Sequence, residues 1–194
     1  MSIAKLKTMI SEDEYLAGER ISEVKHELID GEVYAMSGGS ANHDRIAGNL
    51  YSEFRHHLKG AECEPFGSDM MVKAGANFYY PDVSVDCDFD ESESNLSTTP
   101  VIIVEVLSQS TRRIDQTSKR LSYINIPGLL EYVLIEQDFV QIEVARKRDD
   151  WRPSHYFLGD EITFEAIDLT LSVEEVYYRV HNEQMITFLN QSNS

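Results

Sequence analysis

The chain has 194 residues and carries 17 Lys and Arg against 34 Asp and Glu, a formal charge of −17. A hydrophobic fraction of 42%, with 10 Tyr and 8 Phe, is enough for one sizeable core and excludes a disordered acidic tail. The acidity argues against broad attraction to nucleic acid or an anionic membrane, while leaving room for a local basic groove, and no apolar run is long enough to cross a bilayer.

Met1 to Ile10 has no apolar block and no small-residue cleavage site, so no signal peptide is read there and a cytoplasmic location is expected. Cys63 and Cys87 can form one bridge at most and have no clustered partners. The expectation is two semi-buried thiols in a reducing compartment.

In chain order, Ser11-Glu12-Asp13-Glu14 has the pattern of a capping box and opens a short helix to about Arg20. Val24 to Ile29 and Glu32 to Met36 read as a hairpin around Asp30-Gly31. After the break Ser37-Gly-Gly-Ser40, the positions Ile46, Leu50, Phe54 and Leu58 mark an amphipathic helix ended by Gly60. Strands are expected at Glu62 to Phe66, Asp69 to Lys73 and Asp82 to Cys87. Asp86 to Asn95, with five acids and no base, should be a solvated loop, with Asp86 facing solvent. Val101 to Leu107 reads as a strand buried on both faces. A second helix follows from Ser110 to Tyr123, with Ile114, Leu121 and Ile124 as its packing positions. Glu131 to Glu136 and Val140 to Lys147 look like a strand pair across a Gln137-Asp138 turn. Peripheral strands at Trp151 to Phe157 and Glu161 to Phe164, a helix capped by Ser172 and a polar tail complete the chain. The order describes an α/β (α+β) single domain over 1–194, with a core at about 12–147, a periphery at 148–181 and a tail at 182–194.

Glu105 is the most informative residue. A carboxylate inside Val101-Ile-Ile-Val104-Glu105-Val106-Leu107 is costly unless it is paired, protonated or bound to a metal. Asp82, after Pro81, starts a strand that can pair beside it. Two converging carboxylates suit a hard ion such as Mg²⁺ or Mn²⁺, which polarises a phosphoryl oxygen and acidifies water. Asp115, Lys119 and Tyr123 share one helical stripe, so Lys119 can lean towards the acids. Arg112 and Arg113 make this stretch locally basic and are candidate phosphate contacts. His43 sits in the first turn of the long helix, where an anion is favoured, and Glu27 lies just before the hairpin.

At these residues the chain resembles the restriction-endonuclease-like proteins of the PD-(D/E)XK nuclease superfamily. The matching pieces are Glu27-Leu-Ile-Asp-Gly-Glu32, His43, Tyr80-Pro81-Asp82-Val83, Val104-Glu105-Val106-Leu107-Ser108, Asp115-x3-Lys119-x3-Tyr123 and Glu131-Tyr132. The resemblance implies a mixed central sheet flanked by helices, and Mg²⁺-dependent phosphodiester hydrolysis with Asp82 and Glu105 as metal ligands. The superfamily lysine falls two residues after the second acid, where this chain has Leu107, so Lys119 stands for a lysine that has migrated to the next helix. The expected catalytic set is Asp82, Glu105, Lys119, Glu27 and His43, acting on nucleic acid, DNA first, as a homodimer and without a membrane. The competing reading is a catalytically inactive module on the same fold that binds protein or nucleic acid.

Overall fold

The computed structural model describes residues 9–36, 38–92, 95–108 and 112–192. In chain order it runs α1 (Glu12–Glu19), β1 (His26–Ile29), β2 (Glu32–Ala35), α2 (Ala41–His57), β3 (Glu64–Gly67), β4 (Met71–Ala74), β5 (Asn77–Tyr79), β6 (Val83–Asp86), β7 (Leu96–Ser97) and β8 (Pro100–Leu107). Then come α3 (Arg112–Ile114), a π-helical turn (Asp115–Lys119), α4 (Arg120–Tyr123), β9 (Glu131–Glu136), β10 (Ile142–Arg146), β11 (Pro153–Tyr156), β12 (Glu161–Phe164), β13 (Leu169–Ser172), α5 (Val173–Val176) and α6 (Glu183–Ser192). The architecture is mixed α+β.

The local signals act as their chemistry requires. Ser11 and Glu14 close both halves of a capping box on α1. Asp30 and Gly31 both take positive φ, which fits the tight turn between β1 and β2. Ser40 caps α2 through the His43 N–H, and the buried Ile46, Leu50 and Phe54 form its inner face.

Six strands make the larger sheet, in the order β11-β10-β9-β8-β6-β3, and β8 and β9 are its parallel pair. A second sheet, β2-β1-β5-β4-β7, packs on one face. Strand alternation on β8 serves both faces. Ile102, Val104 and Val106 join the core under α2, while Ile103 and Leu107 join the core formed with Val72, Tyr79, Tyr123 and Tyr132. Glu105 sits between Ile103 and Leu107 on that second face.

Several expectations are corrected. Asp86 is buried rather than solvent-facing, because Ser97, Thr99 and the Asp88 N–H all donate to its carboxylate. Cys63 and Cys87 are joined in a disulfide, not held as thiols. The β3–β6 ladder pairs Glu64 with Asp86 and so brings the residues just beyond them together. Leu121 is 64% exposed, because the π-helical turn holds more residues per turn than an α-helix and so puts Leu121 out of phase with the inner face. The Ser110 start and the Ile114 side chain lie outside the described residues. The region read as periphery supplies core, with Ile162, Phe164, Val173, Val176 and Tyr177 packed under α2. A helix, α6, occupies the stretch expected as a polar tail. No helix among the described residues is long and apolar enough to cross a membrane.

Candidate active site

The chain passes from one sheet to the other at Tyr80-Pro81-Asp82, between β5 and β6. The β6–β8 register, with Val83 opposite Val104, carries Asp82 alongside Glu105 and Val106. The Val106 N–H donates to Asp82 Oδ2 at 2.7 Å, and His43 Nε2 lies 3.2 Å from the same oxygen. His43 arrives from the first turn of α2, and Glu27 arrives from β1, where its Oε1 accepts the Tyr80 N–H at 3.2 Å.

Lys119 is the hub of the site. Its Nζ lies 2.8 Å from Glu27 Oε1, 3.1 Å from Glu105 Oε1 and 3.4 Å from Asp115 Oδ1. The Tyr123 hydroxyl also donates to Glu105 Oε1, at 3.0 Å. A pattern emerges from these contacts. Among the described residues, the hydrogen bonds and ion pairs of Asp82, Glu105 and Glu27 each fall on one carboxylate oxygen, and the second oxygen of each takes none. Each of these acids is therefore held through one oxygen.

The electrostatics are unbalanced. Four carboxylates, Glu27, Asp82, Glu105 and Asp115, surround one ammonium and one imidazole. Burial pushes the Glu105 carboxyl well above its ordinary range; Lys119 opposes the rise, while Asp115, Asp82 and Glu27 add to it. For Lys119, burial disfavours the charge, but Glu105, Glu27 and Asp115 outweigh it and hold the ammonium protonated. His43 is likewise raised, its burial outweighed by the hydrogen bond and charge of Asp82.

His43, Asp82, Glu105, Asp115 and Lys119 line a chamber of about 180 Å³ with Gln137 and Val106. An adjoining cleft of about 560 Å³, reached past His43 and Asp82, includes Lys25, Asp44 and Ser68. Among the described residues no three Asp, Glu, His or Cys side chains converge closely enough to cage an ion alone. The donor set nonetheless fits a hard dication. Mg²⁺ ordinarily takes one or two carboxylates and fills its other positions with water and substrate oxygen, and Asp82 and Glu105 each have an oxygen that takes no hydrogen bond from the described residues, in a site with surplus negative charge.

All five sequence candidates thus gather at one place. The arginines do not. Arg112 is forked onto Glu136, with Asp138 3.7 Å away, so it is already neutralised, and Arg113 is exposed. Sequence reasoning missed Gln137, read as a turn residue, and the anchoring role of Tyr123. A buried amide after an apolar strand leaves no distinctive pattern, whereas Tyr123 was visible as the next position on the Asp115–Lys119 stripe.

Known proteins resemble this chain over most of its length. Two uncharacterized proteins of Synechocystis sp. (strain ATCC 27184 / PCC 6803 / Kazusa) are related. One, slr1290, is 38% identical over 173 residues, covering 87% of this chain and 91% of its own. The other, sll1609, is 33% identical over 155 residues, covering 77% and 88%. The fold matches the crystal structure of a "putative nuclease belonging to DUF820" from Anabaena variabilis ATCC 29413, with a TM-score of 0.74 and 20% identity, covering 87% of this chain and 97% of that one. Residues 12–174 match the family described as "Uma2: Putative restriction endonuclease", and the chain belongs to that family.

Proposed function

We propose that the protein is a metal-dependent endonuclease that hydrolyses phosphodiester bonds in DNA. The observation that carries this reading is the paired presentation of one open oxygen each by Asp82 and Glu105 in a single chamber, with Lys119 bound to Glu105 behind them. Asp82 and Glu105 would hold Mg²⁺ or Mn²⁺. When bound, the ion supplies Lewis-acid polarisation of a phosphoryl oxygen and a more acidic water.

The chain's own residues do the rest. The Val106 N–H and His43 orient Asp82, while Lys119 and Tyr123 orient Glu105. Lys119 holds its proton and contributes positive charge where negative charge develops on phosphate oxygens. Glu27 fixes Lys119. His43, at the junction of chamber and cleft, holds a proton at Nε2 and faces incoming phosphate. Action on two strands is proposed to need a homodimer, which sedimentation tests. The proposed compartment is the cytoplasm; the Cys63–Cys87 disulfide stands against it, and thiol trapping in cells decides the point.

The decisive experiment is cleavage of single- and double-stranded DNA and RNA with Mg²⁺ and Mn²⁺, beside the Asp82→Ala/Glu105→Ala double variant. Asp82→Asn is expected to abolish metal-dependent cleavage and leave the protein folded, because losing one ligand charge weakens a hard-metal site far more than a strand end. Unchanged turnover in that variant overturns the reading. The competing module without catalysis draws on one observation: Lys119 is fully engaged by three carboxylates, and the chain as a whole repels polyanions.

A further inference from the structure

We propose that Gln137 is a positioning residue, a crosspiece that keeps the helix carrying His43 in register with the strand carrying Glu105. The proposal rests on the nuclease reading only for what His43 is positioned to do.

Gln137 lies just beyond the end of β9 and is buried. Its Nε2 donates to the Leu107 carbonyl at 3.1 Å, at the end of β8, two residues past Glu105. Its Oε1 accepts from the Ser40 hydroxyl. Ser40 in turn caps α2 by accepting the His43 N–H at 3.2 Å. Only one arrangement satisfies this chain of groups. A carbonyl can only accept, so the amide NH₂ must face Leu107; Oε1 must then face Ser40, whose hydroxyl has to donate. The crosspiece therefore spans from the Glu105 strand to the backbone of His43.

The imidazole is fixed from its other side as well. A Cβ at Gly39 would come within 2.8 Å of His43 Nδ1, so that position is filled by backbone alone. His43 thus sits between Gly39, its hydrogen bond to Asp82 and the tether through Ser40. Capping requires only an acceptor at Ser40. Donation to Gln137 is a separate property, and the two can be separated by substitution.

Ser40→Asp keeps an acceptor for the His43 N–H and puts a favourable charge at the helix start, but it sets a carboxylate against Gln137 Oε1. Gln137→Met keeps length and loses both polar ends. Ser40→Thr keeps both the cap and the donor. The measurements are the imidazole ¹⁵N resonances of His43 without metal or DNA, the thermal midpoint, and single-turnover cleavage of a duplex oligonucleotide with Mn²⁺. The expected result is shifted His43 resonances and a rate lowered about 10- to 100-fold in Ser40→Asp and Gln137→Met. The midpoint of Ser40→Asp should not fall, and Ser40→Thr should match the wild type in every readout. Unshifted His43 resonances in both Ser40→Asp and Gln137→Met overturn the crosspiece, whatever the rate. A wild-type protein that cleaves nothing removes the nuclease reading, and the resonances still decide the crosspiece.

Discussion

Arg146, at the end of β10, and Lys119, at the end of the π-helical turn, are each only 5% exposed, and each is surrounded by acids. Arg146 Nε lies 3.0 Å from Glu131 Oε1 and 3.4 Å from Glu165 Oε1, and its remaining donors reach the Thr163 carbonyl and the Tyr156 hydroxyl. The second oxygen of Glu131 accepts the Ala166 N–H, and Glu165 also holds Arg148. Two cations meet Glu131 and Glu165, with Asp149 3.6 Å from Arg148, and both oxygens of the buried Glu131 are bonded. Around Lys119 the balance is different: four carboxylates gather, and Asp82, Glu105 and Glu27 each keep an oxygen that takes no hydrogen bond from the described residues. Both groups are buried charge, so burial alone does not separate scaffold from site. Surplus charge with unfilled valences does, and it is what the proposed site for a cation and an anionic substrate requires.

The largest effect should come from opening the closed group. Arg146→Met leaves Glu131 buried without its partner, and breaking such a pair costs about 3–5 kcal/mol. Urea unfolding measures it, and cleavage by the fraction still folded should be unchanged. A loss near zero would mean that Glu131 reaches water or a proton easily, and the contrast between the two groups would weaken.

Lys119→Met should show the opposite division. The chamber acids lose a counter-ion but can share a proton, so the effect falls on chemistry rather than folding. A preorganised charge at developing negative oxygen is worth about 10²–10³ in rate. Metal affinity measured by calorimetry should stay the same or improve slightly, since a protonated amine is no ligand. Equal losses of rate and metal binding would point to a collapsed site, and no loss of rate would move the role to His43 or Arg113.

What the sequence made legible follows the same division. Glu105 stood out because a charge interrupts an apolar run, and Asp82 and Lys119 could be placed beside it by strand pairing and helix spacing. The hairpin and α2 were readable because Asp-Gly turns and four-residue apolar spacing are local signals. Interactions set by distant partners were not readable. Asp86 is buried because Ser97 and Thr99 return across a loop to meet it. Leu121 turns outward because of a π-helical turn that no spacing rule anticipates. The short strands β5 and β7 have too few residues to show a period, and Gln137 gains its place only when β8, β9 and α2 are assembled.

Saturating Mg²⁺ or Mn²⁺ is expected to stabilise the protein, because a ligand at about 100 times its Kd adds about 2.7 kcal/mol to folding. The gain should appear in the wild type and in Arg146→Met alike, and vanish in Asp82→Ala/Glu105→Ala. An equal gain in all three would place the ion elsewhere on this acidic surface and remove the proposed ligand pair.

The smallest effect gives the sharpest contrast, because it compares the same substitution in both groups. Glu131→Gln puts an NH₂ where both oxygens now accept, so one donor of Arg146 or Ala166 loses its partner, at a cost of about 1–3 kcal/mol. Glu105→Gln can keep its amide oxygen under Lys119 and Tyr123 and turn its NH₂ into the chamber, which removes one of four crowded negative charges. Metal-free stability should then rise by about 1 kcal/mol, the usual sign of a site whose function opposes folding, while metal-dependent cleavage is lost. Urea unfolding of both variants with a chelator present measures the difference. If Glu105→Gln is destabilised as much as Glu131→Gln, the Lys119 group is a closed structural network like its counterpart, and the inactive module becomes the better account of this chain.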